Sequence, residues 1–159
     1  MYAPVSKLAS IHTVLTLATC LDLELHQIDI KGVYFNGELN NNEAIHMCQP
    51  PDYANPDHPH YICQLHKTLY GLKQSSYQWY QKLVKILIKS LRFKLCEVNQ
   101  AIFIKQGNKT IIIIIVHVDN CTIATSSLSL IVKLKAQIRK HVEITNLGKL
   151  HWLLGIEVT

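Results

Sequence analysis

The sequence predicts an α+β domain built on an antiparallel sheet, and three features carry that prediction. Five consecutive isoleucines, Ile111 to Ile115, lead through Val116, His117 and Val118 to Asp119-Asn120, and a second short apolar run leads away. A polar Asp-Asn pair between two β-branched runs predicts a hairpin, because short polar side chains tolerate turn geometry and cap free backbone groups. The isoleucine run lacks polar alternation, so it predicts a strand buried on both faces in the middle of a sheet. Helical apolar spacing on either side of the hairpin, over Ser75 to Ser90 and Leu128 to His141, is the third feature. Reduced to main elements, the order is strand, helix, hairpin, helix, strand, the split β-α-β-β-α-β plan.

In that plan the first and third strands lie side by side. The end of the first strand and the hairpin turn then face one edge. Asp29 and Asp119, ninety residues apart in the chain, are predicted to meet there. A lone turn aspartate ordinarily satisfies its own backbone. Two carboxylates on one edge repel each other unless a cation sits between them, so their convergence points to metal binding.

The elements follow in order. Leu8, Ile11, Leu15, Ala18 and Leu21 recur at helical spacing with Ser6 as the expected N-cap, which favours an amphipathic helix over a signal peptide. Leu25 to Ile30 alternates, with Ile28 and Ile30 on one face and Asp29 on the other. Asn36-Gly37 marks a turn with Leu39 as its apolar anchor. Signals are weak from Glu38 to His60, apart from a short strand at Ile45 to Met47, and another short strand is expected at Tyr61 to Leu65. Trp79, Leu83, Ile86, Leu87 and Leu91 form the buried stripe of the Ser75 to Ser90 helix. Lys82, Lys85, Lys89 and Arg92 form a basic stripe on its other side, either a solvated face or a nucleic-acid contact. Arg92 to Leu95 and Ala101 to Lys105 read as strands. Ser126 or Ser127 is the expected cap of the Leu128 to His141 helix, and Trp152 to Val158 is expected to be the last strand.

The 159 residues, 48% hydrophobic and 17% charged, suit one globular domain with a real core. Charge is divided unevenly: Met1 to His66 has two lysines against seven acids, net −5, whereas Lys67 to Thr159 has fourteen basic residues against four acids, net +10. Such a basic lobe suits a polyanion. Five cysteines, with no Cys-x-x-Cys pair, read as reduced thiols of an intracellular protein, in the cytoplasm or nucleus. No stretch approaches the roughly 20 apolar residues of a membrane span. His58, His60, Cys63 and His66 cluster locally, but the spacing is not that of a zinc finger and Pro59 stiffens the middle.

Four ordered motifs carry a family resemblance that covers nearly the whole chain. These are His26-Gln-Ile-Asp-Ile-Lys-Gly-Val-Tyr-Phe-Asn-Gly-Glu-Leu39, Leu69-Tyr-Gly-Leu-Lys-Gln74 with Trp79-Tyr80, Val116-His-Val-Asp-Asn120, and Leu147-Gly148 with Leu154-Gly-Ile-Glu157. Together they resemble the reverse transcriptase domain of copia-type long-terminal-repeat retrotransposons. The resemblance implies a polymerase palm over about 20–36 and 67–159, with partial fingers or an insertion over about 37–66. It also implies a template-primer of RNA or DNA, deoxynucleoside triphosphates, and two magnesium ions clamping the attacking and leaving oxygens. No membrane partner is implied, and other parts of an element-encoded polyprotein are. By motif match Asp29 and Asp119 are the metal-binding, catalytic aspartates. Tyr34, Lys73 and Gln74 fall at nucleotide-binding positions; His117, Leu154, Gly155 and Glu157 fall at primer or template positions.

Departures from the family pattern bear on activity. The hairpin usually reads Tyr-Val-Asp-Asp, and here it reads His117-Val118-Asp119-Asn120, so Asn120 keeps the shape of the catalytic position and loses its charge. Tyr77 replaces an arginine, and Asn99 and Asn146 stand where aspartate is usual. The family's domain starts upstream of Ala3-Pro4-Val5 and continues past Thr159 into a thumb and a ribonuclease H region, so a truncated, degenerate polymerase fragment with weak or no activity is expected. Two alternatives stay open, a non-enzymatic nucleic-acid-binding remnant and an inert fragment.

Overall fold

The computed structural model describes residues 3–39 and 44–158; positions 40–43 of the expected 37–66 insertion lie outside that range, as do residues 1, 2 and 159. In chain order the elements are α1 (Leu8–Cys20), β1 (Glu24–Ile30), a 3₁₀ turn (Val33–Asn36), β2 (His46–Cys48), β3 (Ile62–Gln64) and α2 (Ser75–Val84), which runs into a π-helical segment (Lys85–Ser90). There follow β4 (Lys94–Leu95), β5 (Ile102–Gln106), β6 (Ile111–His117), β7 (Asn120–Thr125), α3 (Leu128–Arg139), β8 (Ile144–Lys149), β9 (Trp152–Leu153) and β10 (Ile156–Glu157). The protein is α+β with antiparallel sheets.

The main sheet has six strands in the order β4-β5-β6-β7-β1-β8, and every pairing is antiparallel. Its last four strands stand in the spatial order of the split β-α-β-β-α-β plan. The isoleucine run is central, as its composition requires. Ile112, Ile114 and Val116 face a core shared with α2 and α3, while Ile111, Ile113 and Ile115 face a second core under Ile11 and Val14 of α1. Each fully buried isoleucine contributes roughly 1.5–3 kcal/mol of hydrophobic stabilisation.

Four expectations are corrected. Ser6 does not cap α1: Lys7 occupies the N-cap position in extended conformation, and the Ser6 hydroxyl is buried without a partner among the described residues. The buried stripe of α1 is Ile11, Val14 and Ala18; Leu8 sits at the margin of that face and Leu21 lies beyond the last turn, and both are exposed. Helix α3 stops at Arg139 rather than His141, and the Ser127 hydroxyl at its N-cap meets Ser129 Oγ at 2.8 Å instead of the backbone. The fourth strand of the plan is β8, not Trp152 to Val158. Those residues form a separate hairpin, β9 with β10, turning at Leu154 and Gly155, whose φ angles are +49° and +83°.

The Ser75 to Ser90 helix is present but changes pitch. In an α-helix Leu91 would lie about 140° around the axis from Ile86. The π-type bond from Leu91 N–H to Ile86 O, 3.0 Å, closes a wider turn, and Leu91 is buried with Leu87, four residues before it. Between β1 and α2, β2 and β3 among the described residues pair only with each other, and that small sheet is largely exposed.

Candidate active site at the Asp29 and Asp119 edge

Strand pairing builds the site. In the β1–β7 register Asp29 stands directly across from Asn120, and the Ile30 N–H donates to the Asp119 carbonyl at 2.9 Å. The two aspartates, ninety residues apart in sequence, therefore adjoin at one sheet edge, both half-buried. The hairpin loop itself is Val118-Asp119, since His117 pairs with Asn120; Asn120 opens β7 and is not a loop residue. Val118 has φ +59°, the first-position geometry for which two-residue loops ordinarily take glycine. A β-branched residue there is strained. The Trp79 indole N–H, on α2, holds the loop by donating to the Val118 carbonyl at 3.0 Å.

The side chains form a short relay. Gln27 Nε2 donates to Asn120 Oδ1 at 3.4 Å, and Asn120 Nδ2 donates to Asp119 Oδ1 at 3.1 Å. On the same face His117, Asn120, Gln27 and Leu154 line a cavity of about 210 Å³. Two of the primer or template positions, His117 and Leu154, are thus brought together beside Asn120. Gly155 and Glu157 are exposed, at the tip and far strand of the β9–β10 hairpin, and do not line that cavity.

Tyr34 lies on the 3₁₀ turn after β1, and its carbonyl accepts from the buried Thr68 hydroxyl. Its ring meets that of Tyr70 edge to face at 4.8 Å between centroids. Gln74 occupies the N-cap position of α2, half-buried, and Lys73 precedes it, exposed. Two contacts escaped sequence reasoning. Gln27 lies two residues before Asp29, so strand periodicity alone puts it on the carboxylate's face. Trp79 reads as core from its spacing and is core, 2% exposed, but nothing in the sequence announces its hydrogen bond.

Electrostatics agree with the geometry. The buried Cys121 thiol is pushed up to about 12, chiefly by burial and then by the charges of Asp119 and Asp29, so one thiol senses both carboxylates. The Lys31 ammonium is held above its ordinary value, chiefly by its hydrogen bond to Glu143 (2.7 Å) and that carboxylate's charge, with a smaller pull from Asp29.

The donor set suits a hard dication. Among the described residues no group of three or more His, Cys, Asp or Glu side chains is gathered for a metal. Magnesium, however, takes only one or two protein carboxylates, leaving its other positions to water and substrate phosphate. Asp29 and Asp119 could supply two. Asn120 works against them, because its amide N–H is directed at a carboxylate oxygen of Asp119.

This arrangement defines an α+β protein with a carboxylate pair at the edge of an antiparallel sheet. The chain belongs to the reverse transcriptase (RNA-dependent DNA polymerase) family, which it matches over residues 1–159, and within it to the copia-type retrotransposon branch. It is 34% identical over 158 residues to the retrovirus-related Pol polyprotein from transposon TNT 1-94 of Nicotiana tabacum, covering 99% of this chain and 12% of that protein. It is 31% identical over 156 residues to the corresponding polyprotein from transposon RE1 of Arabidopsis thaliana, covering 98% and 10%. To the transposon Ty1-BR Gag-Pol polyprotein of Saccharomyces cerevisiae it is 30% identical over 155 residues, covering 92% and 8%. The chain thus spans about an eighth or less of these relatives.

Among the described residues no helix is long and apolar enough to cross a membrane. All five cysteines are unpaired, and Cys20 and Cys48 are exposed.

Proposed function

We propose that the Asp29 and Asp119 edge is the nucleotidyl-transfer centre of a retrotransposon polymerase, with residues of about 20–36 and 67–159 forming its palm and those of about 37–66 part of its fingers. The observation that carries the reading is the adjacency of the two aspartates, joined through the Ile30–Asp119 backbone bond, in a chain of this family. Asp29 and Asp119 would hold magnesium, which when bound supplies charge stabilisation to the attacking and leaving oxygens. Tyr34, set by Thr68 and Tyr70, is suited to crowd a ribose 2′-hydroxyl, a task for a stiff flat ring. Lys73 and Gln74 at the start of α2 are suited to the nucleotide's phosphates and base. His117 and Leu154, around the small cavity, with Gly155 and Glu157 on the adjoining hairpin, are suited to the primer strand.

Asn120 sets the expected level of activity. With one carboxylate fewer than the family's pattern, and an amide proton on Asp119 Oδ1, both cation affinity and the field at the reacting phosphate are reduced. The reading is therefore a polymerase of low activity. Primer extension on an RNA template with magnesium or manganese tests it. Asn120→Asp is expected to raise incorporation at least tenfold, about 1.4 kcal/mol of transition-state stabilisation, and Asp119→Ala is expected to abolish it. Incorporation that survives both Asp29→Ala and Asp119→Ala would refute this assignment.

A further inference from the structure

A cavity of about 760 Å³ lies along the outer side of α2 and its π turn. Lys82, Lys85 and Lys89 line it. Lys85 and Lys89 are exposed, and among the described residues no carboxylate pairs with any of the three. Arg92, the fourth member of the basic stripe, is exposed and absent from this lining; its φ is +61°. Glu38 is the only acid in the lining among the described residues, and His141 adds a further polar group. The groove is a concave, cationic surface that a solvated lysine face does not require.

Its composition is more than cationic. Tyr77, half-buried, contributes an aromatic ring at the α2 end, and Val84 and Ile88 add apolar surface between the lysines. Lys82 and Lys89 are seven residues apart, roughly 10 Å along the axis, a span that meets several successive phosphates of one strand. A positive groove combined with an aromatic platform suits single-stranded nucleic acid, because a duplex hides the faces of its bases. A simple polyanion would leave Tyr77 and the apolar floor unused.

We propose that this groove binds a single strand of nucleic acid, with phosphates on Lys82, Lys85 and Lys89 and a base against Tyr77, separately from the Asp29 and Asp119 edge. None of its lining residues lies on β1 or the β6–β7 hairpin, which form that edge. It gives the chain a second hold on a strand.

The test uses the full chain and a fluorescein-labelled twelve-residue oligothymidylate, followed by anisotropy over a salt series. Changing Lys82, Lys85 and Lys89 together to Gln, which preserves helix propensity, is expected to weaken binding at least tenfold. It should also reduce the slope of log affinity against log salt by about 2, at ~0.7 per lost phosphate contact. Tyr77→Ser is expected to cost roughly tenfold, the loss of one stacked base, while leaving competition by inorganic polyphosphate unchanged. Crosslinking of a 4-thiothymidine oligonucleotide to the unaltered chain should mark the 75–90 peptide, and this arm stands even if a variant fails to fold. Crosslinks confined to the 111–125 hairpin, equal affinity for a blunt duplex, or an unchanged salt slope in the triple variant would each overturn the proposal.

Discussion

The Trp79 indole and the Val118 carbonyl, 39 residues apart in sequence, are joined by a 3.0 Å hydrogen bond that ties α2 to the β6–β7 hairpin. Val118 needs such a tie. A left-handed backbone costs an L-residue about 1–2 kcal/mol, and a β-branched side chain does not ease it. Trp79→Phe keeps most of the buried ring and removes the donor, so it is expected to lower stability by about 1–2 kcal/mol. Val118→Gly is expected to raise it by about 1 kcal/mol. Urea midpoints of the two variants report both effects, and a Val118→Gly protein less stable than its parent would show that the loop is not strained.

Lys135 is a buried lysine with no acid paired to it among the described residues. It is 5% exposed, and its Nζ donates to Asn146 Oδ1 at 2.6 Å and lies 3.2 Å from His26 Nδ1. Burial, with help from the Arg139 charge, holds its ammonium below the ordinary lysine value. Asn146→Asp would place a carboxylate against the ammonium while still accepting from the Gly148 N–H, now 3.1 Å from the amide oxygen. A charge-assisted bond replaces a neutral acceptor, so stabilisation of about 1–3 kcal/mol is expected. A midpoint that falls instead would mean that desolvating the new carboxylate costs more than the pairing returns.

His26 gives the protein a pH dependence of predictable sign. Burial chiefly, then the Lys135 charge, lowers its pKa from the ordinary 6.5, and its Nε2 is buried without a partner among the described residues. The unfolded chain therefore binds the proton at a higher pH than the folded one. Stability linked to His26 is fully present above the unfolded value and is lost as pH falls below it and through the folded value. Denaturant midpoints should drop between pH 7 and pH 5. His26→Asn should flatten that drop, and an identical drop in the variant would assign it to other groups.

The parts legible in the sequence are those with strong periodicity. Ile111 to Ile115 revealed a two-faced central strand, and the order of elements was enough to bring Asp29 to Asp119. Strand β8 was not legible, because as an edge strand it buries Ile144 and leaves Thr145, Asn146 and Leu147 exposed, with no alternation to read. The hydrophobic Trp152 to Val158 segment took its place in the prediction, although Leu154 and Gly155 turn it back on itself. The π turn was hidden for a different reason: Leu91 belongs to the buried stripe in either pitch, so the sequence shows the face and not the geometry that reaches it.

Cys121 separates burial from charge as the protector of a thiol. Burial is the largest cause of its rise to about 12, ahead of Asp119 and Asp29, so at pH 8 it holds almost no thiolate, the form that reacts. Iodoacetamide on the folded protein should therefore modify the exposed Cys20 and Cys48 first and Cys121 last, at the rate at which the sheet opens. Because burial leads, Asp119→Asn should leave Cys121 protected, even though it removes one of the two charges that the thiol senses. Mass spectrometry of quenched time points distinguishes the causes. Rapid alkylation of Cys121 in Asp119→Asn, with Cys20 and Cys48 unchanged, would show that the carboxylates rather than the packed sheet guard it, and that they press on the core more strongly than their half-buried position implies.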